Sequence, residues 1–181
     1  MKRANPASRP STGSRRSELV EGRFTNPVVI GLISDTHGLV RPGIAAAFQG
    51  VERILHAGDV GGTAVLRALE VIAPVDAVCG NIDDPHDPAL ARERAITIDG
   101  VTIHVSHGHE LGRPTPALAL ARYAGDVVVF GHTHRAVMVR AGDRIAVNPG
   151  AAGPRRFDLK PSVARLTIAR GTVSIETISL A

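Results

Sequence analysis

The sequence predicts an α/β fold in which two sheets pack together with helices outside. Three observations carry that expectation. Apolar runs alternate with helix-like segments through the first half, and the last third reads as strands joined by tight turns. Five of the apolar runs also lead into clusters of Asp, Asn, Gly and His, and strand ends are where open α/β sheets build their sites.

The elements follow in order. Val28 to Ile33 is an unbroken apolar run and reads as a buried strand. A short helix follows, ending near Gln49-Gly50, where glycine is a natural stop. The next strand holds Ile54 and Leu55 and ends at His56. Residues Thr63 to Ala73 space Val65, Leu66, Leu69 and Ile72 along one helical face, and Pro74 stops that helix. Val75 to Val78 forms a strand running into Cys79, followed by the polar loop Asp83 to Pro88. Ala95 to Ile98 and Val101 to Val105 flank Asp99-Gly100, a strong hairpin signal. Pro116 to Tyr123 then reads as a helix and Val127 to Phe130 as a strand. Four further strands are expected at Ala136 to Arg140, Arg144 to Val147, Val163 to Ala169 and Val173 to Ile178. Gly142-Asp143 and Arg170-Gly171 supply their turns.

The length of 181 residues favours one domain with a substantial core, expected over residues 27–181. No apolar run is long enough to span a bilayer, so no membrane partner is expected. A single Cys79 allows no intrachain disulfide, and the expected location is cytoplasmic. The net charge of +4 sits in residues 1–27, which hold six basic and two acidic side chains; the rest carries 15 of each sign. A neutral body with one Tyr and no Trp argues against specific nucleic-acid binding. Residues 1–26, rich in Arg, Ser, Pro and Gly, are expected to form a flexible basic leader. Their acid-free start has the composition of a transit peptide, but Pro6 and Pro10 oppose the amphipathic helix that one would need.

The chemistry lies in five clusters: Asp35-Thr36-His37, Gly58-Asp59, Gly80-Asn81, His107-Gly108-His109 and Gly131-His132-Thr133-His134. Carboxylate, amide oxygen and imidazole are the donors that mid-row divalent cations accept. On an extended segment leaving a strand, Asp35 and His37 would project to one side and share one ion. Asp59 has a second oxygen with which to bridge two ions. Asn81, His107, His132 and His134 complete a set of seven donors, four per ion when Asp59 is shared. Two such ions make a bridging hydroxide available near neutral pH and neutralise the charge that builds on a phosphoryl group. Each cluster alone has an ordinary explanation, since GD and GN are common turn dipeptides. Their joint occurrence, each behind a strand, carries the inference. His104, inside a strand, and His86, in a Pro/Asp-rich loop, belong to no cluster and read as structural or solvated.

The order D-x-H, GD, GN, H-G-H, G-H-x-H resembles the calcineurin-like metallophosphoesterase superfamily, and in particular its small prokaryotic phosphodiesterases. The resemblance extends over Val28 to Ala181. It implies a four-layer α/β/β/α sandwich of two mixed sheets and a small phosphoester substrate. It also implies two divalent metal ions, with manganese first and nickel, iron, zinc or cobalt as alternatives. Asp35, His37, Asp59 and His134 would hold one ion, and Asp59, Asn81, His107 and His132 the other, Asn81 also touching substrate. One departure stands out. Many members carry a histidine after the GN pair to assist the leaving group; here the residue is Ile82. That favours diesters with good leaving groups. His109 could supply the missing acid or could orient His107. His56, three residues before Asp59, reads as an orienting group or a buried structural histidine. Arg155 and Arg156 follow Asn148-Pro149-Gly150 and could meet a phosphate, or could form a solvated turn. A rival function of a different class, carried by the same fold, is a protein-binding scaffold with little hydrolysis.

Overall fold

The computed structural model describes residues 26–156 and 158–180. The leader expected over residues 1–26 therefore lies, save for Asn26, outside the described residues. The first sheet has the order β11-β10-β1-β2-β3-β4: Thr172–Ser179, Ser162–Ala169, Val28–Ile33, Arg53–His56, Val75–Val78 and Leu90–Ala91. The second runs β5-β6-β7-β9-β8: Glu93–Ile98, Val101–Ser106, Val127–Val129, Arg144–Asn148 and Val137–Ala141. Both sheets are mixed. β1, β2, β3 and β4 are parallel, as are β6, β7 and β9, while β10, β11, β5 and β8 pair antiparallel to their neighbours.

Side-chain alternation explains why the layers stack. Along β1, Ile30 and Leu32 face the second sheet while Val29 and Ile33 face the helices α1 (Gly43–Ala47) and α2 (Thr63–Glu70). Leu55, Val78, Leu166 and Ile168 meet Ile103, Val105, Val127, Val129 and Val147 in a buried apolar middle layer. On the opposite outer face, α3 (Pro116–Arg122) and the adjoining Tyr123 cover Val128, Phe130 and Ala146. The result is the four-layer α/β/β/α sandwich. Thr115 caps α3 by accepting the Leu118 N–H, with Pro116 at the first helical position.

Several expected bounds shift. α2 ends at Glu70 rather than Ala73, with Ile72 and Ala73 forming a closing turn onto Leu69 before Pro74. The two-residue β4 lies between the loop Asp83 to Pro88 and Ala95, where no strand is expected; it extends the first sheet by pairing with β3. The C-terminal strands also do not form one meander. β8 and β9 join the second sheet, whereas β10 and β11 cross back to flank β1. The hairpin signals hold: both Asp99-Gly100 and Arg170-Gly171 place two successive residues at positive φ, as type I′ turns require.

The consequence for the site is geometric. β1, β2 and β3 end at the same pole as β6 and β7, so loops from both sheets converge there. Every expected donor lies one to five residues past one of those five strand ends.

Candidate metal centre

Asp35 follows β1 and is fully buried, as is His107 after β6; Asp59 follows β2 and is nearly so. Asp35, His37, Asp59 and His134 form a compact group whose donor atoms all lie within 4.8 Å of one another. His134 Nε2 is 3.2 Å from Asp35 Oδ1, His37 Nε2 is 3.4 Å from His134 Nε2, and His37 Nε2 is 3.7 Å from Asp59 Oδ2. A second group adjoins it through the other Asp59 oxygen. His107 Nε2 lies 3.3 Å from Asp59 Oδ1 and 3.2 Å from Asn81 Oδ1, and His132 Nδ1 lies 3.0 Å from that same amide oxygen. The fold thus brings all seven expected side chains together.

The donor chemistry fits a cation. Asp35 Oδ2 accepts from the Ser34 hydroxyl at 2.6 Å, but Asp35 Oδ1 is buried with no hydrogen-bond partner, and His134 Nε2 stands beside it out of hydrogen-bond alignment. A buried carboxylate oxygen with nothing to accept from is costly unless positive charge is supplied. His107 shows the same preparation. Its Nδ1 lies 2.7 Å from the Ala57 carbonyl, which can only accept, so Nδ1 carries the proton and Nε2 is left facing Asp59 and Asn81.

Electrostatics agree. Burial by itself would raise the Asp59 pKa, but the hydrogen bond and charge of His107, the Ile82 N–H and His37 together hold it down at about 2. Burial by itself would lower His107, but its bond to Asp59 and the charge of Asp35 raise it instead. Asp59 therefore stays ionised at neutral pH, and a cation competes with a proton for His107 Nε2. His37 and His132 are lowered, chiefly by burial, which favours the neutral ring with one nitrogen free to accept.

One expectation is overturned. Asp35 and His37 do not share a side through extended pleating: their φ values are 53° and 47°, in the left-handed region. Asp59, His132 and His134 are left-handed too, at 54°, 67° and 58°. Of the seven non-glycine residues with positive φ among those described, five are candidate donors. Each carries a cost of order 1–3 kcal/mol, and such strain gathers where a site demands it. Turning at both ends, rather than pleating, brings Asp35 and His37 to one centre. For the 132–134 segment the same turns send the two rings to opposite groups.

A family model, the calcineurin-like phosphoesterase superfamily domain, matches residues 28–171. The chain belongs to the calcineurin-like phosphoesterase superfamily. A probable metallophosphoesterase of Methanothermobacter thermautotrophicus is 34% identical over 150 residues, covering 77% of this chain and 81% of its own. A phosphodiesterase of Methanocaldococcus jannaschii is 30% identical over 139 residues, 67% of this chain and 82% of its own. Vacuolar protein sorting 29 of Cryptosporidium parvum superposes with a TM-score of 0.71 at 18% identity, over 86% of this chain and 98% of its own.

The remaining expected residues fall around the same pole. His109 opens a 3-10 turn, partly exposed, with its ring centroid 5.4 Å from that of His107 and 6.4 Å from that of His132. Arg156 borders a small cavity shared with His132 and His134, and its charge reaches His37. Arg155 lines a narrow space with His134 and Arg156, and another with Arg41 and Lys160. Ile82 is half exposed, and its backbone N–H, not its side chain, serves the site by donating to Asp59 Oδ1 at 3.1 Å. His104 stacks on Tyr123 and faces Glu93, away from the donors, and His86 is exposed.

Supporting residues that the motifs did not reveal hold the loops. Asp83 accepts from the N–H groups of Val60, Gly61 and Gly80, tying the β2 loop to the β3 loop. Buried Asn148 donates to the Gly131 carbonyl and to Thr133, fixing the two-histidine loop. The glycines of the GN and GH pairs are close-approach points rather than simple turns. A Cβ on Gly80 would stand 2.1 Å from Asp59 Oδ1, and one on Gly131 would stand 2.0 Å from Ser34 Oγ. His56 is wholly buried, 2.8 Å from the Thr36 hydroxyl, and that hydroxyl donates on to Val60 O at 2.9 Å.

Two outcomes are expected. Gly80→Ala should displace Asp59, reduce metal affinity by at least about tenfold, the scale seen when a ligand's support is lost, and lower stability by about 1–3 kcal/mol. Calorimetric metal titration with wild-type affinity would contradict the close approach. Burial pushes His56 from 6.5 down to about 4. Its neutral ring is the native form, so the unfolded chain binds more protons between those values. Stability is full above that window and falls as pH drops through it, by up to about 3 kcal/mol. His56→Gln should remove that component; urea melts of the metal-free proteins from pH 7 to 4 that run parallel would contradict it.

Proposed function

We propose that the protein is a metal-dependent phosphodiesterase acting on a small phosphoester. The observation that carries this is the Asp59 carboxylate, with one oxygen toward each group of donors. On this basis Asp35, His37, Asp59 and His134 hold one divalent ion, and Asp59, Asn81, His107 and His132 hold the other. Oxygen and imidazole donors suit manganese, with nickel, iron, zinc and cobalt as alternatives. Two such ions supply an acidified water as nucleophile and positive charge against the negative charge developing on phosphorus.

The chain's own residues do the rest. The Asn81 amide, exposed at the mouth, orients a non-bridging phosphoryl oxygen, and the Arg156 guanidinium offers it a two-pronged donor. Arg155, lining a space with His134 and Arg156, contributes positive charge. Attack on phosphorus breaks the ester bond, and the departing oxygen needs a proton. Ile82 cannot give one. Without a donor in place the departing oxygen leaves on its own low basicity; His109, exposed beside His107 and His132, is the imidazole that would serve if an acid acts.

The fold likeness to vacuolar protein sorting 29 supports the sandwich alone. Complete retention of seven convergent donors favours an enzyme over a scaffold, because a docking surface gains nothing from a strained, buried carboxylate pair.

Asp59→Asn should leave the fold in place and lower metal-dependent hydrolysis of bis(p-nitrophenyl) phosphate by orders of magnitude; near wild-type turnover at matched metal occupancy would sink the shared-carboxylate assignment. Wild-type rates should fall steeply as the leaving group's pKa rises. Because Ile82 is half exposed, an imidazole has room there. Ile82→His should flatten the slope and raise turnover of poor leaving groups by up to about 10²–10⁴-fold, the usual yield of general acid catalysis. A flat slope already present in the wild type would mean that an acid is in place, with His109→Ala the variant to identify it.

A further inference from the structure

Beside His132 and His134 the pole opens into more space than a single phosphoryl group requires. A cavity of about 260 Å³ touches both histidines and is walled by Arg113, Arg135 and Arg156. It shares Arg113, Arg135 and the two histidines with a groove of about 1080 Å³, whose far wall carries Lys160. Among the described residues, no Asp or Glu lines either space. That is a marked segregation, since residues 28–181 carry equal numbers of acidic and basic side chains. Among the described residues, no ion pair holds Arg113, Arg135, Arg156 or Lys160. Like charges gathered in a concave surface without counter-charges focus a positive potential. Among the described residues the groove is lined by no Phe, Tyr or Trp, which leaves the imidazoles of His132 and His134 as its only rings.

Resting on the phosphodiesterase assignment, we propose that this groove is a second anion subsite. The substrate class it selects is a phosphodiester that bears a further phosphate group. While one phosphoryl group lies at the metal centre, Arg113, Arg135 and Lys160 hold the other, the guanidinium forks each offering two N–H donors to its oxygens. These three residues set which diester binds and take no part in bond breaking. Binding requires only that the second group be dianionic and reach past His132 and His134.

The test is calorimetry of the manganese-loaded protein with thymidine 5′-monophosphate and with thymidine 3′,5′-bisphosphate. The bisphosphate should bind at least about tenfold tighter, about 1.4 kcal/mol, with the preference shrinking as salt rises. In the variant R135E/K160E the two affinities should become nearly equal. Arg113→Gln, on the separate wall formed by residues 112–116, should lower the ratio by itself. Equal affinities in the wild type, or an unchanged ratio in all the variants, would overturn the subsite. Displacement by oligothymidylates that tightens steadily with length would also overturn it, because the groove would then track a strand. The p-nitrophenyl esters of the same two nucleotides separate the two levels. If neither is cleaved while the binding ratio holds, the phosphodiesterase assignment fails and the subsite stands.

Discussion

The structure turns on one carboxylate. Asp59 sits almost fully buried between two groups of nitrogen and oxygen donors, Oδ2 toward His37 and Oδ1 toward His107 and the Ile82 N–H. An ionised carboxylate in such a place survives only if every side of it is met by a donor or a cation. The backbone around it is arranged to that end. Gly80 leaves room for the carboxylate, Asp83 locks the loop that carries it, and the His37 N–H donates to its carbonyl at 3.0 Å. Moving Asp59 would unseat both groups at once.

The two sheets make that arrangement possible. Parallel strands place all their C-terminal ends at one pole, and each sheet contributes such a set. The antiparallel strands β10 and β11 extend the first sheet on the side of β1 away from β2, and β5 and β8 close the edges of the second. The middle apolar layer fixes how the sheets face each other and therefore how the β1–β3 loops meet the β6–β7 loops. Left-handed turns at five donors are the local cost of that meeting. The cost is tolerated because the loops are cross-braced, by Ser34 on Asp35, by Thr36 on Val60 and by Asn148 on the two-histidine loop.

Much of this was legible in the sequence. Uniform apolar runs such as Val28 to Ile33 mark buried strands, and the polar clusters after them mark the pole. What hid was long-range. Nothing local in Val163 to Ala169 says that β10 crosses to β1 rather than continuing from β9, and two residues are too few for β4 to leave a periodic signal. The spacing of Asp35 and His37 suggested pleating, but their conformation is set by the loop's bonds to Gly58 and Asp59, which are remote in sequence. Asp and His tolerate left-handed φ better than most residues, so the signal was present in residue type and absent from spacing. Gly80 and Gly131 look like turn glycines until the side chains opposite them are known.

The superfamily assignment makes the protein a phosphoesterase by kinship, and the donors explain how this chain would act as one. The central claim is that two ions share Asp59. Crystals grown with manganese and measured at its absorption edge test it most directly. Two anomalous peaks should appear about 3.5–4 Å apart, one among Asp35, His37 and His134 and one among Asn81, His107 and His132, with Asp59 touching both. A single peak, or two that leave Asp59 uncoordinated, would contradict the account.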